Sequence, residues 1–287
     1  MSDRRGQFVS GLRRENFRIL DDGLEQSIAY FAPIEAPVTV LVLVETSPAV
    51  YLLHRQHLDA AYALLDGLAP DDQVALASYD KSTRLLLPFT TDKRALQAAL
   101  GQLRYNLGSS DLRFYDALAQ ALRWLEAVPG KKALVILGTV LDTSGKDHAE
   151  LVPGVVIHAV ALGGGLREYE QNREEGRGET ALSFGRADRM LRTISHSTGG
   201  RAFFPRSSKE FVGIYQQIAT TLRNQYSLGF VPPKREGAYH RLVVQVVDEN
   251  RVVGMSSAGA PLGAAHGKTV RHAVTPSRSG YRAPGPE

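Results

Sequence analysis

The sequence predicts an α/β fold: an open, mostly parallel sheet with helices on both faces, joined by a small β region drawn from both chain ends. Three observations point there. Residues 38–44 form a continuous apolar, β-branched run of the kind found in a strand buried on both faces. Beyond it, strand-like runs alternate with segments of helical periodicity as far as residue 223. After residue 223 the texture turns β-like, with no helical segment between its runs.

At the N-terminus, residues 16–20 and 24–31 alternate around Asp21-Asp22-Gly23, a turn signature with a glycine available for positive φ, so a hairpin is expected. Pro33 and Pro37 punctuate the chain before the central strand. Leu53, Ala60, Ala61, Leu64 and Leu68 then recur at helical spacing, and Ser47-Pro48 offers an N-cap followed by a first-turn proline. Residues 74–79 and 85–89 read as strands joined by Asp80-Lys81-Ser82-Thr83, a hairpin that sets one antiparallel strand at the sheet edge.

Thr91-Asp92 caps a helix bearing Leu96, Leu100 and Leu103, and residues 111–126 carry Tyr115, Leu118, Leu122 and Leu125 on one face. Residues 133–137 and 155–162 are again apolar strands. Glycines and charges over residues 163–186 suggest a long exposed loop. Met190, Leu191 and Ile194 mark a helix that stops at Gly199-Gly200. A short strand at 201–204 leads to a capping-box spacing from Ser207 to Glu210, and Phe211, Ile214, Tyr215, Ile218 and Leu222 line a last helix. Residues 225–231 and 240–247 form a second β region, able to pair with the N-terminal hairpin. The domain reading is therefore 1–36 and 224–260 as parts of one small β-domain, 37–223 as the α/β domain, and 261–287 as a disordered basic tail.

Composition narrows the function classes. No stretch approaches the roughly 20 apolar residues of a membrane span. Residues 1–14 lack the apolar core of a signal peptide, so the chain as written reads as cytoplasmic. With no cysteine, disulfide frameworks, thiolate metal sites and cysteine nucleophiles are excluded. The formal net charge is +4, from 34 basic and 30 acidic side chains, of which four and one fall in residues 261–287. The body is thus almost neutral, and nucleic-acid binding is restricted to a salt-sensitive reading of the tail.

No G-x-S-x-G elbow, H-E-x-x-H spacing, dinucleotide fingerprint or P-loop lysine is present, so no catalytic set is recognised. Gly163-Gly164-Gly165 lacks phosphate-loop spacing and reads as a loop entry. Three carboxylates, Glu45, Asp111 and Asp142, keep open the alternative of an α/β enzyme with an unrecognised acid/base pocket at the carboxyl edge of the sheet.

Ordered phrases carry a resemblance. They are Asn16-Phe17-Arg18-Ile19-Leu20-Asp21-Asp22-Gly23 with Gln26-Ser27-Ile28-Ala29-Tyr30-Phe31, Asp71-Asp72-Gln73-Val74-Ala75-Leu76, Tyr115-Asp116-Ala117-Leu118, Gly199-Gly200-Arg201-Ala202-Phe203-Phe204 and Gln225-Tyr226-Ser227-Leu228-Gly229-Phe230. Together they resemble a von Willebrand factor A (VWA) domain over residues 37–223 and, more narrowly, the bacterial VWFA-related family. The resemblance implies a Rossmann-like sheet, a small β-sandwich from sequences on either side of it, a protein-binding role and, in many members, export.

It also implies a metal-ion-dependent adhesion site (MIDAS) at the carboxyl end of the sheet, built from D-x-S-x-S, a later Thr and a further Asp. Such a site holds Mg²⁺ or Mn²⁺ on hard oxygen ligands, and an acidic group of a protein or peptide partner completes it. Here Glu45-Thr46-Ser47-Pro48-Ala49 occupies the first motif, Ser110 or its neighbour Ser109 stands for the Thr, and Thr139 takes the place of the second carboxylate. Asp111 or Asp142 is the available substitute charge. The candidate ligands are Glu45, Ser47, Ser110, Asp111 and Asp142, a degenerate set expected to bind metal weakly. Two plainer readings stand beside it: Ser47 as the N-cap before Pro48, and Glu45 as a solvated strand end.

Overall fold

The computed structural model describes residues 2–3, 12–34, 36–51, 54–108, 111–146, 148, 150–164, 167, 184–223, 225–231, 239–248, 251–254, 272–273 and 280–282. Two units divide the chain: Met1–Glu35, His196–Gly199 and Thr220–Glu287 form one, and Ala36–Ser195 with Gly200–Ala219 form the other.

In the smaller unit, β1 (Ser2–Asp3) pairs with the late strand β14 (His272–Ala273). β2 (Phe17–Asp21) and β3 (Leu24–Gln26) form the hairpin across Asp22 and Gly23, both at positive φ (47° and 87°), as a two-residue primed turn requires. The hairpin is shorter than its sequence pattern. Its second limb ends at Gln26, and β4 (Tyr30–Ile34) pairs instead with β11 (Gln225–Gly229), because Ala29 N–H is already drawn to the Gly229 carbonyl at 2.8 Å. β12 (Tyr239–Asp248) lies antiparallel to β2 and carries β13 (Arg251–Gly254) and β15 (Gly280–Arg282).

Alternation along β2 buries Phe17 and Ile19, which join Ile28, Val244 and Val246 in one apolar cluster. Phe17, Phe31 and Tyr226 close it as a ring trio with centroids 5.3–5.8 Å apart. Most of residues 261–287, and with them the expected tail disorder, lie outside the described residues.

In the larger unit, β5 (Val38–Glu45) is buried at every position. Its start is pinned by the buried Asp72, whose carboxylate accepts from Val38 N at 2.9 Å and Ala69 N at 2.7 Å. Parallel partners flank it, β6 (Gln73–Tyr79) on one side and β8 (Lys131–Gly138) on the other. β7 (Thr83–Thr90) runs antiparallel to β6 at one margin; β9 (Val155–Ala161) and β10 (Ala202–Phe203) extend the other in parallel. The spatial order is β10-β9-β8-β5-β6-β7.

The helices follow their periodicity. α1 (Pro48–Tyr51) and α2 (His54–Asp66) occupy the first predicted helix, and the side chains of His54 and His57 lie outside the described ones. α3 (Lys93–Gly101) is capped by Asp92, which accepts from Arg94 N and Ala95 N. α4 (Phe114–Glu126) begins three residues later than its pattern. α5 (Phe184–Ser197) stops before Gly199, at φ 82°, and Gly200 follows it against the sheet: an added Cβ there would lie 1.9 Å from the Ile157 carbonyl oxygen. α6 (Phe211–Arg223) follows the Ser207–Glu210 box, in which the Glu210 carboxylate accepts from Ser207 N at 2.8 Å.

α4 and α5 share one core with Leu41, Leu43, Ala75, Ala77, Leu134, Ile136, Ile157 and Ala159. Val40, Val42, Leu76, Val135 and Val160, which alternate with them, are equally buried on the opposite face. Helix-covered faces of this kind are what the apolar runs require. Among the described residues, no helix is long and apolar enough to cross a membrane.

Candidate functional site

From β5 the chain moves to β6 and β7 on one side, then returns to β8 on the other, so strand order reverses between β5 and β8. Open α/β sheets bind ligands at the carboxyl ends of strands at such a point. Glu45 ends β5 there and Gly138 ends β8.

Glu45 is not a solvated strand end: it is 0% exposed. Its Oε1 accepts from Ser47 Oγ at 2.5 Å. Its Oε2 accepts from Thr139 N at 2.6 Å, Thr139 Oγ1 at 2.8 Å, Tyr79 OH at 3.1 Å and Val140 N at 3.4 Å. Five donors thus surround a carboxylate that desolvation would otherwise make very costly to bury. Burial, then the Glu45 charge and the hydrogen bond to it, hold the Tyr79 phenol well above its ordinary range, so Tyr79 stays a donor.

Gly138 makes this convergence possible. A Cβ on it would lie 2.4 Å from Tyr79 OH and 2.6 Å from Glu45 Oε2. After Gly138 and Thr139, Val140 adopts φ 54°, a strained region for a β-branched residue, while its side chain stays in the core.

Behind Thr139 stands a buried cation. Arg167, 5% exposed, donates from Nη2 to the Thr139 carbonyl at 2.8 Å and from Nε to the Leu162 carbonyl at 3.0 Å, and it pairs with the carboxylate of Asp188 on α5. Its guanidinium also lies 4.6 Å from the Phe184 ring centroid. The sequence pattern places Arg167 in an exposed loop; the structure buries it, because these carbonyls and Asp188 replace water around the charge.

Of the five candidate ligands, the structure brings Glu45 and Ser47 together. Ser47 also caps α1, its Oγ accepting from Ala49 N at 3.2 Å, so the capping role is met alongside the contact to Glu45. Ser110, like Ser109, lies outside the described residues. Asp111 is exposed. Asp142 turns to α4: its carboxylate accepts from Tyr115 N at 3.0 Å and from Ser144 N at 2.7 Å. It caps the helix from a distant loop, which is why α4 starts at Phe114. Asp116 pairs with Lys146 and Arg113, linking α4 to the same loop. Among the described residues, no group of three or more His, Cys, Asp or Glu side chains is placed to hold a metal ion.

Tyr79, Gly138, Arg167 and Asp188 escape sequence reasoning. Tyr79 reads as an ordinary strand end, and nothing in the spacing of Arg167 signals burial. Gly138 and Thr139 do carry a signal, since a residue pair with no carboxylate at that strand end leaves Glu45 in need of other partners.

No family model matches the chain, and no curated protein matches it. Solved structures do. A von Willebrand factor type A protein from Catenulispora acidiphila is similar with a TM-score of 0.50 and 13% identity, over 86% of this chain and 73% of that one. The vWF domain of the type V pili tip protein Mfa5 from Porphyromonas gingivalis gives 0.46 and 12%, over 66% of this chain and 96% of that one. Proximal thread matrix protein 1 from the mussel byssus, with a zinc-occupied MIDAS motif, gives 0.47 and 12%, over 70% and 49%. With its sheet order and helix-covered faces, and with the Catenulispora likeness, the chain has a von Willebrand factor A-like fold.

Proposed function

We propose that the chain is a non-catalytic VWA-type protein-interaction module whose ion site is degenerate, held shut by hydrogen bonds instead of by a divalent cation. The observation that carries this reading is the convergence of five donors on Glu45. A Mg²⁺ or Mn²⁺ ion needs about six oxygens with free lone pairs. Here Thr139 N–H and Oγ1 donate into the carboxylate that would face the ion, Ala49 has no hydroxyl, and Asp142 is committed to α4. The described residues do not fit a cation of that type.

Without an ion, recognition at this end of the sheet falls to side chains around it. The Thr46 carbonyl accepts from Asn106 N at 2.8 Å, which ties the 103–108 loop to the end of β5. That loop presents Leu107, 58% exposed, and sets Tyr105 edge-on to Tyr51, 41% exposed. Exposed aromatic and aliphatic side chains on a fixed frame suit a protein or peptide partner.

The test is a pull-down from source cells in EDTA or Mg²⁺, with wild type and the Tyr51→Ala/Leu107→Asp variant. A partner retained equally in both buffers and lost by the variant is the expected result. A partner that needs Mg²⁺ overturns the reading.

A further inference from the structure

We propose that the outer face of α5, together with the end of β10, forms a second contact surface that takes an acidic peptide segment. From residue 184 to 205 the chain carries Arg186, Arg189, Arg192 and Arg201 against the single acid Asp188. Ala187, Asp188, Leu191 and Ser195 occupy the buried face of α5, so Arg186, Arg189 and Arg192, at three-residue intervals, follow one another along its outer side. Asp188 is itself buried and pairs with Arg167.

Arg192 is exposed, yet its guanidinium rests 4.1 Å from the ring centroid of Phe204, the residue that follows β10. The ring is backed on the protein side by Arg167 at 5.9 Å. Stacking holds the planar fork in place, so less side-chain entropy is lost when it engages a carboxylate through two parallel hydrogen bonds. Arg206, also exposed, lies two residues beyond Phe204. The adjacent acid, Glu210, turns its carboxylate to the Arg206 and Ser207 backbone N–H groups. Among the described residues, neither the Arg192 nor the Arg206 guanidinium has a carboxylate partner.

Extent decides between polyanions. A nucleic-acid groove neutralises on the order of 6–10 phosphates and needs a long basic field. Outside residues 261–287 this chain has 30 basic against 29 acidic side chains, so the α5 patch is local and matches a short run of Glu or Asp.

The test is fluorescence anisotropy on the full chain with labelled oligoglutamate and a charge-matched oligothymidylate. Wild type is expected to bind oligoglutamate more tightly than the oligonucleotide, in a salt-dependent way. Arg192→Gln/Arg206→Gln should weaken it about tenfold, as loss of two charge-assisted contacts implies, while Arg123→Gln on α4 leaves it unchanged. Arg192→Glu/Arg206→Glu should instead capture oligolysine, a gain that an unfolded variant does not give. Tyr51→Ala/Leu107→Asp should leave oligoglutamate binding intact, which separates this surface from the one at the end of β5. Oligoglutamate binding that is absent in wild type, unaffected by the Arg192/Arg206 variants, or weaker than oligonucleotide binding overturns the proposal.

Discussion

The buried Glu45 carboxylate is held by donors that are weak singly and costly to remove. Thr139→Val deletes one of them, Oγ1, and leaves the backbone N–H in place. The expected loss is about 1–3 kcal/mol in urea unfolding, since a buried carboxylate oxygen loses a charge-assisted bond. Gly138→Ala should cost more, because its methyl group must displace either Tyr79 OH or the Glu45 carboxylate. A Gly138→Ala chain as stable as wild type would show that the carboxylate does not sit where the five donors meet. His158 supplies a pH test. Burial, and then the Arg201 charge, lower its pKa to about 4, and its Nδ1 accepts from Arg201 N. An unfolded His titrates near 6.5, so its contribution is complete above that pH and is lost as pH falls towards 4, in all about 3 kcal/mol. His158→Gln should flatten that part of the stability profile; an unchanged slope between pH 6.5 and 4 would remove His158 as its source.

Elements explain why some of this was readable and some was not. The run at 38–44 was legible because a strand buried on both faces is apolar at nearly every position, and every residue of β5 is indeed buried. The helix before Gly199-Gly200, the Asp92 cap and the β6–β7 hairpin were legible for similar local reasons. The burial of Glu45 was not, because its partners Tyr79 and Thr139 stand 34 and 94 residues away, and no local pattern reports such pairings. The contact of Asp142 was hidden in the same way: its carboxylate accepts from Tyr115 N on α4 across 27 residues. Asp142→Ala is therefore expected to cost about 1 kcal/mol, as loss of a helix cap does. The same cost should appear in EDTA and in Mg²⁺; a cost present only in Mg²⁺ would return Asp142 to the ligand set.

For the whole molecule, charge and sheet order point the same way. Residues 261–287 carry +3 of the formal +4, so deleting them should remove any salt-sensitive oligonucleotide binding and leave partner binding at the β5 end unchanged. Gel-shift assays on the full and shortened chains check this, and oligonucleotide binding that survives the deletion would locate a basic groove on the folded part. The α/β architecture was legible from the alternation of strand and helix alone, down to the antiparallel strand at one margin. What stands at the carboxyl end of the sheet was only half legible, since Glu45 and Ser47 could be read there but not the distant partners that surround the Glu45 carboxylate.

Calorimetric titration of Mg²⁺ and Mn²⁺ into the purified chain, beside Glu45→Gln, decides whether hydrogen bonds or an ion hold the end of β5. Wild type is expected to show no saturable heat below about 1 mM, the weak end of divalent-cation sites, and the same melting temperature in EDTA as in either metal. One-to-one binding well below that concentration, abolished by Glu45→Gln, would contradict it.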